Sequence, residues 1–147
     1  MIALLLALAA ADPPKTVTSI DGLPLGGLPP QSLPTEGCAA YLFSAGKTRA
    51  LAAVASAQAG ILRVSIGGTP IDLVRTTQSG SAGYGFAGVT QYTGGGAAAT
   101  LDLSIQTQRS LTQGAVIDQA TLRIDRSGED TIILPLAGLI GCAQQAS

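Results

Sequence analysis

Nine carboxylates, eight lysines and arginines, two cysteines and no histidine make up the reactive inventory of the chain. Without an imidazole, Ser-His-Asp and Cys-His catalysis are excluded, as are most zinc, copper and haem sites. The two thiols, Cys38 and Cys142, bracket nearly all of the sequence that reads as folded. In an exported chain such a pair is expected to form a disulfide rather than to bind metal; two free buried thiols are the alternative. Closing a loop of about 100 residues would stabilise the fold by up to about 4–5 kcal/mol in the chain-entropy description. A carboxylate-based hydrolase needs two acids about 5–10 Å apart on a cleft. Asp72, Asp102 and Asp125 are the acids that strand alternation could bring to one sheet face, and all three read as solvated face positions. No acid-rich loop of the calcium type occurs. The expectation is therefore a protein without cofactor or metal and without conventional catalysis.

Glycine-rich stretches do not change that reading. Gly46-Lys47-Thr48 has the tail of a phosphate loop, but Tyr41 stands where its first glycine belongs, so it reads as a hairpin loop. Gly80-Ser81-Ala82-Gly83-Tyr84-Gly85 lacks dinucleotide-binding spacing, and Gly94-Gly95-Gly96 reads as a turn. The aromatic residues are the remaining candidates. Tyr41 and Phe43 share one strand face, while Tyr84, Phe86 and Tyr92 share a parity on another predicted strand. Either the rings supply bulk to an alanine-rich core, or they form an interaction patch rimmed by tyrosine hydroxyls. On the second reading Ser81, Tyr84, Phe86 and Tyr92 are the candidate binding residues.

These residues must be held by a small domain. The length of 147 residues suits one domain with a real core. A net charge of -1, with 12% of residues charged and the cations scattered, leaves no basic field for nucleic acid or an anionic membrane. Met1 to Ala11 is an uncharged apolar run ending in three alanines, followed by Asp12-Pro13-Pro14. It is too short to cross a membrane and has the proportions of a secretory signal, although no Lys or Arg precedes it; a buried N-terminal strand or helix is the alternative. The expected location is periplasmic or secreted. Residues 12–36 hold six of the eight prolines and read as a linker, either a tether or an extended segment lying on the domain. Residues 37–142 form the expected β-domain, and 143–147 a tail.

Within that domain the pattern has period two. Leu101, Leu103 and Ile105 alternate with Asp102, Ser104 and Gln106, and Leu122 and Ile124 alternate with Thr121, Arg123 and Asp125. Two hairpins can be set in register. Gly67-Gly68 as a two-residue turn places Val64 opposite Ile71, Leu62 opposite Leu73 and Arg63 opposite Asp72. A three-residue loop at Ser127-Gly128-Glu129 places Ile124 opposite Ile132, Leu122 opposite Leu134 and Arg126 opposite Asp130. A shorter loop would oppose Asp125 with Asp130, and like charges directly opposite are unfavourable. Further strands are expected near 38–44, 50–57, 84–92 and 136–142. The alanines of 49–59 also suit a helix, but its shortness and its flanking strands favour a strand. Seven or eight short strands make an all-β antiparallel sandwich or small barrel with one disulfide.

One family resemblance follows from the residues. The run Gln78 to Tyr84, with Gln91-Tyr92-Thr93-Gly94 and Ala99-Thr100-Leu101 after it, resembles the periplasmic and membrane-bound inhibitors of C-type lysozyme. Those are small exported β-barrels whose loop serine and turn lysine contact the lysozyme active site. The resemblance implies Ser81 as a contact residue and lysozyme, or another envelope protein, as partner. Gly94 stands at the lysine position and Tyr92 at the tryptophan position, which implies weakened inhibition. The chain is equally similar to exported bacterial envelope proteins from which no activity can be borrowed. The expected function is thus an exported, non-catalytic β-domain that binds another macromolecule, or a structural envelope component whose sheet edge a partner completes.

Overall fold

The computed structural model describes residues 16–106 and 114–143. The proposed signal run 1–11 lies outside them, as does all of the tail except Ala143.

Nine strands follow in order: β1 (Leu25–Gly26), β2 (Cys38–Ser44), β3 (Leu51–Ser56), β4 (Ile61–Ile66), β5 (Thr69–Ser79), β6 (Val89–Gly94), β7 (Ala97–Gln106), β8 (Gly114–Arg126) and β9 (Ile132–Cys142). Each of β2 to β8 pairs antiparallel with the next in sequence, and β9 returns to pair with β2. Of the two architectures left open, the structure is thus the barrel: a closed, eight-stranded meander with β1 as an extra strand beside β4. Residues 51–56 are strand, not helix.

Closure follows from the side-chain pattern. Leu42, Leu62, Val64, Leu73, Leu101, Leu122, Ile124 and Ile132 point inward and are fully or almost fully buried, with Ala40, Ala53, Ala55 and Ala99 between them. An eight-stranded barrel has an interior just wide enough for side chains to fill, and mixing large with small residues fits its taper. Many outward positions are polar or charged, such as Arg63, Asp72, Gln91, Thr100, Asp102 and Arg123. An apolar inside and polar outside is the reverse of a transmembrane barrel.

Both argued hairpins have their expected core register. Val64 faces Ile71, Leu62 faces Leu73 and Arg63 faces Asp72 across Gly67-Gly68, both of which have positive φ as that tight turn demands. Ile124 faces Ile132 and Leu122 faces Leu134 in the second. The strand expected at 84–92 differs: β6 runs Val89–Gly94, and residues 80–88 form a loop closed by the isolated bridge Gly83–Phe86. Glycines at 80, 83 and 85, all with positive φ, break the extended run. The hairpin residues Ile132 and Leu134 and the strand expected at 136–142 belong to one strand, β9, which runs through Pro135. The ladder to β2 begins only at Leu136, and the Pro135 carbonyl points to Ala45 on that side, so its missing N–H costs no strand pairing.

The seam where the barrel closes is β2 against β9. Cys38 faces Cys142 across it, and the two form a disulfide that spans 104 residues of sequence. The Pro/Gly-rich stretch also packs on the barrel. Ile20, Leu25 and Leu28 are buried, and Ile20 and Leu25 join the core cluster at the end opposite the disulfide. Residues 17–27 form a small hairpin of their own (Gly27 N–H to Val17 carbonyl, 2.9 Å; Ile20 N–H to Leu25 carbonyl, 2.8 Å). Asp21 fastens it to the β2–β3 turn by accepting the Thr48 N–H at 2.8 Å.

Candidate functional site

Of the four candidate binding residues named from the sequence, Ser81, Tyr84 and Phe86 share the 80–88 loop, whereas Tyr92 lies apart from them on β6. Tyr92 lies inside the barrel, where burial holds its phenol above the ordinary range. Phe86 is buried under the 80–88 loop at the disulfide end, and Tyr84 beside it donates its hydroxyl to the Gly114 carbonyl at 3.2 Å. Tyr84 is one of two non-glycine residues with positive φ among the described residues, held there by its ring and this hydrogen bond. Ser81 is exposed on the same loop. Tyr41 and Phe43 point the other way, out of the barrel wall, so the five rings form no common cluster. Equal parity on separate strands carries no information about which side of a closed wall each strand presents.

The carboxylates are equally dispersed. Asp72 is paired with Arg63 at 2.7 Å, which holds its carboxyl below the usual range through the hydrogen bond first. Asp125 is held by Arg123 and Thr131. Asp125 stands opposite Ala98, whereas Asp102 stands opposite Thr121. Four register steps separate them, about 13 Å at the usual rise per residue, which is wider than a paired-carboxylate site. Among the described residues no group of three potential metal ligands occurs, and no helix is long and apolar enough to cross a membrane.

A different feature stands out on the seam. β9 (Ile132 to Cys142, IILPLAGLIGC) has no charged or hydrogen-bonding side chain on either face. Its inner residues Ile132, Leu134, Leu136 and Ile140 are core. Its outer residues are Ile133, Pro135, Ala137 and Leu139, with Ile133 59% and Leu139 52% exposed. Across the ladder Ala137 meets Phe43, itself 43% exposed, and Leu139 meets Tyr41. Strands that are apolar on both faces are normally covered on both. Here one face is bare.

Beside this stripe the arm makes a wall. Leu28 donates its N–H to the Leu51 carbonyl at 2.7 Å, and the Tyr41 hydroxyl donates to the Ser32 carbonyl at 2.9 Å. Arg63, while paired with Asp72, also donates to the Gln31 side chain at 2.8 Å. Between arm and barrel wall runs an open groove of about 620 Å³, floored by Tyr41, Phe43, Leu139 and Gly141 and walled by Val17, Leu28, Leu33 and Leu51. Arg49 lies at its rim, and past Phe43 it continues into a second hollow of about 560 Å³ toward Ala137. Reasoning from sequence named Tyr41 and Phe43 of this floor as sharing a strand face, but missed the outer side of β9 and the arm beside them. The run from Ile132 to Cys142 was itself the signal, since it lacks the polar alternation of every other long strand.

Fold and surface together define a disulfide-bonded meander barrel with a packed interior and an apolar face along its seam. No protein-family model matches the chain, and no curated protein and no solved structure is significantly similar to it.

Proposed function

We propose that the chain is an exported, non-catalytic β-barrel that binds another macromolecule of the bacterial envelope through the outer face of the seam. The apolar outer side of β9 carries this reading. Exposed apolar side chains grouped as Ile133, Leu139 and Phe43 are here are characteristic of interaction surfaces. Export is supported by the apolar run Met1 to Ala11 and is compatible with the disulfide. The absence of histidine from the sequence and the separation of Asp102 from Asp125 support a binding role over a catalytic one. A second reading, inhibition of C-type lysozyme, draws on the barrel fold and on Ser81 exposed in its loop at the disulfide end.

The two readings place the contact on different surfaces, so one capture experiment separates them. Oxidised protein is exposed to envelope extract spiked with a C-type lysozyme, beside Ile133→Asn/Leu139→Asn and Ser81→Trp variants of unchanged circular dichroism. A partner recovered in near-equal amount by the wild type and lost only with the seam variant supports the first reading. Lysozyme recovered and lost only with Ser81→Trp replaces it with the second. Empty capture by the wild type overturns both.

A further inference from the structure

Resting on the reading of the seam as a binding face, we propose that the groove beside it takes the single long alkyl chain of an anionic amphiphile, with its carboxylate or phosphate head at Arg49. The barrel interior is filled by its own leucines, isoleucines and alanines, so a ligand has no room inside. The groove outside has the volume of an ordinary ligand site.

Its chemistry favours an alkyl chain over a peptide. β2, which floors it, is hydrogen-bonded along both edges, to β3 and to β9, and has no edge left for an added strand. A peptide laid there would bury most of its own N–H and C=O groups against Leu33, Phe43, Leu51 and Leu139, with Thr16 and Gln31 as the uncharged polar side chains beside them apart from the Tyr41 hydroxyl, which is already bonded to Ser32. An alkyl chain carries no such groups.

Charge decides the polarity of the chain. Arg49 is exposed at the rim, and among the described residues no carboxylate lies within ion-pairing distance of it or of Lys47 in the same turn. The nearby acid, Asp21, keeps its charge but turns its carboxylate to the Thr48 N–H and is ion-paired with neither cation. A cation at the mouth of an apolar trough suits a carboxylate or phosphate head with its tail running along β2 toward Gly141.

The test uses the oxidised full chain and hexadecanoate as probe, with hexadecanol and hexadecyltrimethylammonium as head-group controls, all below their aggregation concentrations. Saturable one-to-one binding of hexadecanoate is expected. Arg49→Gln should weaken it about tenfold or more while leaving hexadecanol unchanged. Leu33→Asn, at an exposed position whose change spares the core, should weaken both. Absence of saturation, equal binding of the cationic amphiphile, or indifference to Arg49→Gln each overturns the proposal. A macromolecular partner that requires Ile133 and Leu139 yet is not displaced by hexadecanoate leaves the seam reading standing and removes the alkyl chain from it.

Discussion

Gly138 lies on β9 between its two ladder partners, Leu42 on β2 and Ile117 on β8. A Cβ at this position would overlap the Tyr41 carbonyl oxygen, a backbone atom that cannot swing aside. Gly138→Ala is therefore expected to destabilise by about 2–3 kcal/mol, at the upper end of overpacking costs. Gly88→Ala is the control. Its Cβ would meet only the Ser79 carbonyl at 3.7 Å, and loss of unfolded-state freedom should leave it neutral or more stable by up to about 1 kcal/mol. Urea midpoints of the two variants check both statements. At this scale the sequence was legible where a turn dictated register: Gly67-Gly68 alone sufficed to oppose Arg63 and Asp72. It was silent where a side chain's meaning depends on which side of a wall it occupies. Tyr41 and Tyr92 look alike in the chain, yet one stands outside the barrel and the other inside.

Among the elements, the N-terminal hairpin is the one whose sequence misleads most. Prolines and glycines hide it, and β1, with only two ladder residues, is too short to show any period. Nevertheless Ile20 and Leu25 have no exposed surface and close the end of the barrel that the disulfide does not. Ile20→Ala should destabilise the whole domain by about 2–5 kcal/mol, as a core truncation does. If the arm were only a tether, thermal unfolding of that variant would be unchanged. β8 illustrates a second kind of concealment. Ala115 and Ile117 point inward, then Ala120, Leu122 and Ile124, because a bulge at Asp118 shifts the parity within one strand. Alternation could be read only from Thr121 onward, and the first half of the longest strand went unseen. β9 hides nothing; its uniform apolarity speaks of two covered faces, and the sequence reading placed strands there without drawing that consequence.

For the molecule as a whole, the link that matters is between first and last barrel strands. Every other pairing in the barrel joins sequence neighbours, whereas β2–β9 joins segments about a hundred residues apart, and Cys38–Cys142 fastens the same two strands. Reduction, or Cys38→Ser/Cys142→Ser, should lower stability by up to about 4–5 kcal/mol, seen as a lower denaturant midpoint against the oxidised protein. The loss should exceed that from any single outward-facing substitution. The seam also sets an order of events. As the chain leaves a ribosome or a translocation pore with its N-terminus leading, β2 to β8 can pair as a growing, open meander. β2 and β8 then remain as bare edges, and the apolar inner face stays wet, until the final eleven-residue strand arrives to occupy both edges at once. Nascent chains stalled short of Ile132 are thus incomplete in kind, and it is at that stage, before closure, that the protein most needs an escort against self-association.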